Sequence, residues 1–168
     1  MYHWQMCIDG ICVYGRTWYE WLSFIDTLVK ELHISKDNHI CLFVHNLGFE
    51  FQFMRTFLER KYGTPEVFAR HTRKPIKITY PNGLEFRCTY FLSNMSLYKA
   101  TTTEKGVYHI KAKGDLDYKK TRTYLTYMDD TEFSYCIGDV ISLWEYVKAR
   151  LENEGDNVST MPITSTGY

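Results

Sequence analysis

A chain of 168 residues with 45% hydrophobic side chains is the size of one domain and has enough apolar material for one core. Its 20 basic and 20 acidic side chains cancel, which excludes a field over the whole surface as the means of holding a polyanion, so a nucleic-acid site has to come from local arrangement. Five cysteines, Cys7, Cys12, Cys41, Cys88 and Cys136, are odd in number and lack CxxC spacing; with no signal peptide and no apolar run long enough for a membrane span, the expectation is a soluble protein of a reducing cytosol with no membrane partner.

In chain order, Tyr2 to Tyr14 reads as a hairpin turned at Asp9-Gly10, a dipeptide favoured in tight primed turns. Thr17 caps a helix whose apolar positions Trp18, Trp21, Leu22, Ile25, Leu28, Val29 and Leu32 follow helical spacing. The nearly all-apolar run Ile40 to Val44 predicts a strand covered on both faces, inside a sheet. A second helix begins just after His45-Asn46 and stops at Gly63. Short strands are expected at Glu66 to Ala69, at Ile76 to Tyr80 and, after the Asn82-Gly83 turn, at Leu84 to Tyr90. Lys111 to Tyr124 is a polar loop, and a long helix over about Glu132 to Glu152, with Thr131 as its cap, precedes a polar tail. Helices and strands intermix without the regular alternation of a doubly wound sheet, so the class is α/β or α+β with a mixed sheet.

Two carboxylates stand out. Glu50 follows Phe49 and precedes Phe51 and Phe53 in the first turn of its helix, where an acid loses hydration among rings while the helix dipole favours its charge. On the last helix the apolar positions 133, 137, 140, 141, 144, 147 and 151 form one stripe, which places Tyr135 and Asp139 together on the opposite face, away from the core. Each carboxylate alone is ordinary for an amphipathic helix. Together with Asn46, Phe49 and Tyr135 they suit metal-dependent phosphodiester hydrolysis, in which carboxylates hold divalent cations and rings grip a frayed strand.

These residues, taken in order, resemble the 3′–5′ exonuclease domain of protein-primed family B DNA polymerases of phages, viruses and linear plasmids. HNLGFE (His45 to Glu50) is similar to that family's second exonuclease motif and YCIGD (Tyr135 to Asp139) to its third. Between them SLYKA (Ser96 to Ala100) resembles the Ser/Thr-Leu strand-binding motif, and KGDLDYKK (Lys113 to Lys120) the segment with the catalytic lysine. The resemblance implies an RNase H-like (DnaQ-like) fold, a mixed sheet flanked by helices, over residues 1–152, with 153–168 as a linker toward a polymerase domain. It assigns Glu50 and Asp139 to Mg²⁺ or Mn²⁺, Tyr135 to the attacking water and Lys113 to phosphate charge. His45, Asn46, Phe49, Phe53, Ser96, Leu97 and Tyr118 would contact single-stranded DNA. Phe53, one turn from Phe49 and Phe57, has core filling as its ordinary alternative.

The family's first motif, D-x-E on an opening strand, has no counterpart, since Asp9-Gly10 is a turn. The second motif carries Glu where the best-known members have Asp. The expectation is therefore a fragment whose sheet lacks its first strand, from a parent polymerase using a terminal-protein primer in a host cytoplasm. The alternative is a nuclease-dead module that binds single-stranded DNA or another protein.

Overall fold

The computed structural model describes residues 2–112, 114, 117 and 119–167. The chain forms two compact units, residues 2–23 with 97–155 and residues 24–96 with 156–167.

In the first unit, strands β1 (Trp4–Ile8) and β2 (Ile11–Gly15) form the predicted antiparallel hairpin, with Cys7 opposite Cys12 and Ile8 opposite Ile11. Asp9 and Gly10 both have positive φ, 48° and 80°, as a type I′ turn requires. A Cβ at Gly15 would stand 2.5 Å from the Trp4 indole nitrogen, so the hairpin's end needs glycine. The helix α1 (Trp18–Glu31) then starts on a reciprocal cap. The Glu20 amide donates to Thr17 Oγ1 at 3.2 Å, and the Thr17 amide donates to Glu20 Oε2 at 2.8 Å.

The long helix α5 spans Asp130–Glu154 and is capped by Asp129, whose side chain accepts from the Glu132 amide at 2.7 Å. The expected cap, Thr131, is already inside the helix, because a carboxylate two residues earlier meets the same free amides and complements the dipole. α5 packs on the hairpin with its apolar stripe: Phe133 meets Tyr14 edge-on at 4.8 Å, and Gly10 lies against the Trp144 ring. A short helix absent from the sequence reading, α4 (Leu97–Thr103), contacts α5 as well. Its threonine hydroxyls bond back to carbonyls within the helix, which hides the segment from propensity arguments.

The second unit holds a mixed four-stranded sheet. Its strands are β3 (Ile40–Val44), β4 (Glu66–His71), β5 (Lys74–Thr79) and β6 (Leu84–Cys88), in the order β3-β6-β5-β4. β3 and β6 run parallel, and the other pairs are antiparallel. The helix α2 (Leu47–Tyr62) packs on β5 and β6, burying Leu47, Met54 and Leu58 with Ile76, Ile78, Leu84 and Phe86. Lys61 and Tyr62 at its end both donate to Asp26 of α1.

Two expectations are corrected here. β3 is an edge strand among the described residues and only half-buried along its length, whereas β6, written Leu-Glu-Phe-Arg-Cys, is the deeply buried one. Alternation in β6 reads as half-exposed, but Glu85 is 4% exposed because Arg87 donates to it at 2.6 Å and Thr79 at 3.3 Å. Burial opposes the charge of Glu85, and the Arg87 guanidinium, with Lys77 and His39, outweighs it and holds the carboxyl below its ordinary range. The last strand also ends at Cys88: Tyr90–Ser93 forms a helical turn, α3, closed by Asn94 in the left-handed region at φ 52°.

The tail expected as a connector packs within the second unit. Met161 is buried there, Val158 O accepts from Arg87 at 2.6 Å, and Asn94 donates to Ser165 at 2.6 Å. No helix among the described residues is long and apolar enough to cross a membrane.

Candidate nucleic-acid interface

In the second unit, β3 delivers its chain to the start of α2. The Thr89 amide donates to Val44 O at 2.9 Å, and the Cys88 thiol reaches His45 O at 3.4 Å. These bonds fix the turn in which His45 Nδ1 lies 3.0 Å from Thr89 Oγ1, with its ring edge-on to Tyr90 at 6.0 Å. Asn46 takes the N-cap position through its backbone, since its carbonyl accepts from the Phe49 and Glu50 amides; its exposed side chain makes no capping bond.

Phe49 and Phe53 follow on the open face of α2. They are 53% and 51% exposed and meet edge-on at 5.1 Å. The core alternative for Phe53 is thereby removed. The helix buries Leu47, Met54 and Leu58 instead, positions one side of the Phe49–Phe53 line. Glu50 is open at its surface, yet enough protein surrounds its carboxyl that desolvation raises its pKa. In this unit Ser96 is exposed. Leu97, at the start of α4 in the first unit, is only 8% exposed and belongs to the core, so its side chain serves packing.

The first unit brings Tyr135 and Asp139 together with Lys111. Lys111 Nζ stands 2.5 Å from Asp139 Oδ1 and 3.0 Å from the Tyr135 hydroxyl, and the Lys111 amide is tied to Thr101 Oγ1 at 3.2 Å. Burial pushes the Asp139 carboxyl up, and the lysine only partly offsets this. Burial lowers the Lys111 ammonium, and the hydrogen bonds it donates to Asp139 and Tyr135 more than restore it, leaving its pKa above the ordinary value. Gly114 lies so close to the Tyr135 ring that a Cβ there would be 2.5 Å from two ring carbons.

Tyr135 and Asp139 lie off the apolar stripe, as the spacing implied, and are half-buried rather than open. Tyr135 and Asp139 continue the line of Ser142, Tyr146 and Ala149, which are the buried positions of α5 along with Val147. The apolar stripe faces the hairpin while this second line is covered too, so α5 is enclosed on both sides, and a polar line can be a buried line.

Lys113 and Tyr118, expected to act on phosphate and strand, lie outside the described residues. Lys111 was missed because nothing in a loop without periodicity distinguishes it from its neighbours; only the fold brings it across 28 positions to Asp139. Among the described residues no group of three or more His, Cys, Asp or Glu side chains is arranged to hold a metal ion. The ammonium of Lys111 pairs with Asp139, and the described side chains supply no cluster of the kind that a two-cation centre needs.

A mixed sheet flanked by helices is the fold that this chain shares with solved structures. Solved structures similar to this chain include those of phi29 DNA polymerase, a protein-primed family B enzyme. The ternary complex with primer-template DNA and incoming nucleotides matches at a TM-score of 0.66 and 16% identity, over 92% of this chain and 27% of that one. The complex with single-stranded DNA matches at 0.68 and 16%, over 88% and 27%, and the post-translocation binary complex at 0.65 and 18%, over 87% and 26%. The chain thus spans about a quarter of the length of the polymerase it matches, and at this identity the likeness is one of fold. No protein-family model matches the chain, and no curated protein is significantly similar to it.

Proposed function

We propose that this chain is an exonuclease-type domain of a protein-primed family B DNA polymerase and that it grips the 3′ end of single-stranded DNA. The observation that carries the reading is the pair of solvent-facing rings, Phe49 and Phe53, immediately after the His45-Asn46 turn. Half-exposed phenylalanines in contact with each other cost apolar exposure that a core position would recover, and unpaired bases are what such rings accommodate. Asn46 offers an amide free of capping duty, directly before the helix that carries the rings. The natural partners are the remainder of the polymerase and its terminal-protein primer, in the cytoplasm of a host cell.

The test is equilibrium binding of a labelled single-stranded oligonucleotide to the wild type, Phe49→Ala and Phe53→Ala. Each stacked base is worth about 1–3 kcal/mol, so each substitution weakens binding about fivefold or more; unchanged affinity in both variants overturns the reading.

A second reading, 3′–5′ hydrolysis dependent on Mg²⁺ or Mn²⁺, is favoured by the Lys111–Tyr135–Asp139 cluster. The Tyr135 hydroxyl, accepting from Lys111, keeps its own proton to donate to a water, and Lys111 would offset phosphate charge. Because the described carboxylates do not make a cation centre, this reading stands or falls on assay. Stepwise shortening of a 5′-labelled strand with Mn²⁺ that vanishes in Asp139→Ala supports it; an intact strand that remains bound contradicts it.

A further inference from the structure

We propose that the β4–β5 hairpin is a second contact surface for single-stranded DNA, holding phosphates of nucleotides beyond those at the gripped end; the inference rests on the strand-binding reading above. From Val67 to Leu84 the chain has no acidic residue and carries Arg70, Arg73, Lys74 and Lys77, in a protein whose charges balance over the whole sequence. β4 is exposed along its whole length, and Arg70, His71, Thr72, Arg73 and Lys74 are all exposed around the turn. Nine ion pairs of lysine or arginine with a carboxylate are formed among the described residues, and none involves Arg70, Arg73 or Lys74, although carboxylates elsewhere on the surface are paired repeatedly. A solvated face would scatter acids among its bases; three neighbouring unpaired cations are what a polyanion's phosphates neutralise with release of counterions.

Placement gives the second argument. The hairpin turn lies against the start of α2, where a Cβ on Gly48 would stand 2.6 Å from Arg73 O and 3.4 Å from Pro75 Cδ. Gly48 is the residue before Phe49, so the unpaired cations begin beside the exposed rings, within one unit. Phe68 on β4, 52% exposed, adds a ring on the hairpin itself. Rings beside a track of unpaired cations are the two components of sequence-tolerant single-strand binding.

The experiment measures binding of labelled oligothymidylates of about 4 and about 20 nucleotides across a range of salt. The wild type is compared with the triple variant Arg70→Ala, Arg73→Ala, Lys74→Ala and with the charge-keeping Arg70→Lys, Arg73→Lys. All three positions are exposed, so circular dichroism and melting should match the wild type and confirm that a loss is not unfolding. For the longer strand the triple variant should bind about tenfold more weakly, with a salt slope lower by about 2, near 0.7 for each lost phosphate contact. The short strand should lose little, and the lysine variant should keep the slope. An unchanged slope on the longer strand, or an equal loss on both lengths, overturns the hairpin's role while leaving the grip of the end intact. A wild type that binds neither strand overturns the parent reading and this inference with it.

Discussion

Lys111 Nζ stands 2.5 Å from Asp139 Oδ1, and the two residues come from a loop and a helix 28 positions apart. Both side chains are less than a third exposed, so the pair is neither a screened surface bridge nor a fully desolvated one. Removing one partner strands the other: Lys111→Met should cost about 1–3 kcal/mol in urea unfolding. In a double-mutant cycle with Asp139→Asn the second substitution should recover part of that loss, because the uncompensated carboxylate is gone. Additive costs would mean that the pair contributes nothing.

Gly48 is helical, and an alanine there would gain about 1 kcal/mol of helix propensity. The Cβ would meet a backbone carbonyl, Arg73 O, at 2.6 Å, and a backbone cannot rotate away as a side chain can. Overpacking of this kind costs about 1–3 kcal/mol and should win. Gly48→Ala is therefore expected to lower the unfolding midpoint, whereas a rise would mean that the hairpin turn moves freely.

His3 gives a pH dependence. Burial, helped by Arg16, lowers its pKa from 6.5 to about 4, and its ring lies between Tyr14 and Phe133 with no hydrogen bond on either nitrogen. Between those two values the folded protein keeps His3 neutral while the unfolded chain takes up a proton. Stability should accordingly rise from pH 4 toward 6.5 and level off above it. In His3→Phe the difference in urea midpoint between pH 5.0 and 7.5 should shrink; an identical difference in both proteins would assign it to other groups.

Local signals in the sequence were legible where the physics is local. The Asp9-Gly10 turn, the Thr17 cap and the Gly63 stop each depend on residues within a few positions, and each was found where expected. What the sequence hid depends on neighbours distant in the chain. β3 is apolar throughout yet lies at an edge of the described sheet, while β6 is buried with Glu85 and Arg87 because the two satisfy each other. Periodicity on α5 revealed one covered side and could not reveal the second, made by elements such as α4. Among the candidate residues Phe49, Tyr135 and Asp139 stand in recognisable motifs, whereas Lys111 and the unpaired cations of the β4–β5 hairpin required the fold.

The Phe49–Phe53 pair also separates binding from stability. Each ring is about half exposed, so truncating one forfeits little buried area, and Phe49→Ala should shift melting far less than a core change such as Ile78→Ala, for which about 2–5 kcal/mol is usual. Equal destabilisation by the two substitutions would show that Phe49 is a packing residue after all.

The most direct measurement is the affinity of the unaltered protein for a single-stranded oligonucleotide, set against a blunt duplex of the same sequence and length at the same salt. If exposed rings stack on unpaired bases, the single strand should bind at least about tenfold tighter, since a duplex keeps its base faces stacked internally. Equal affinity for the two forms, or none for either, would contradict the account.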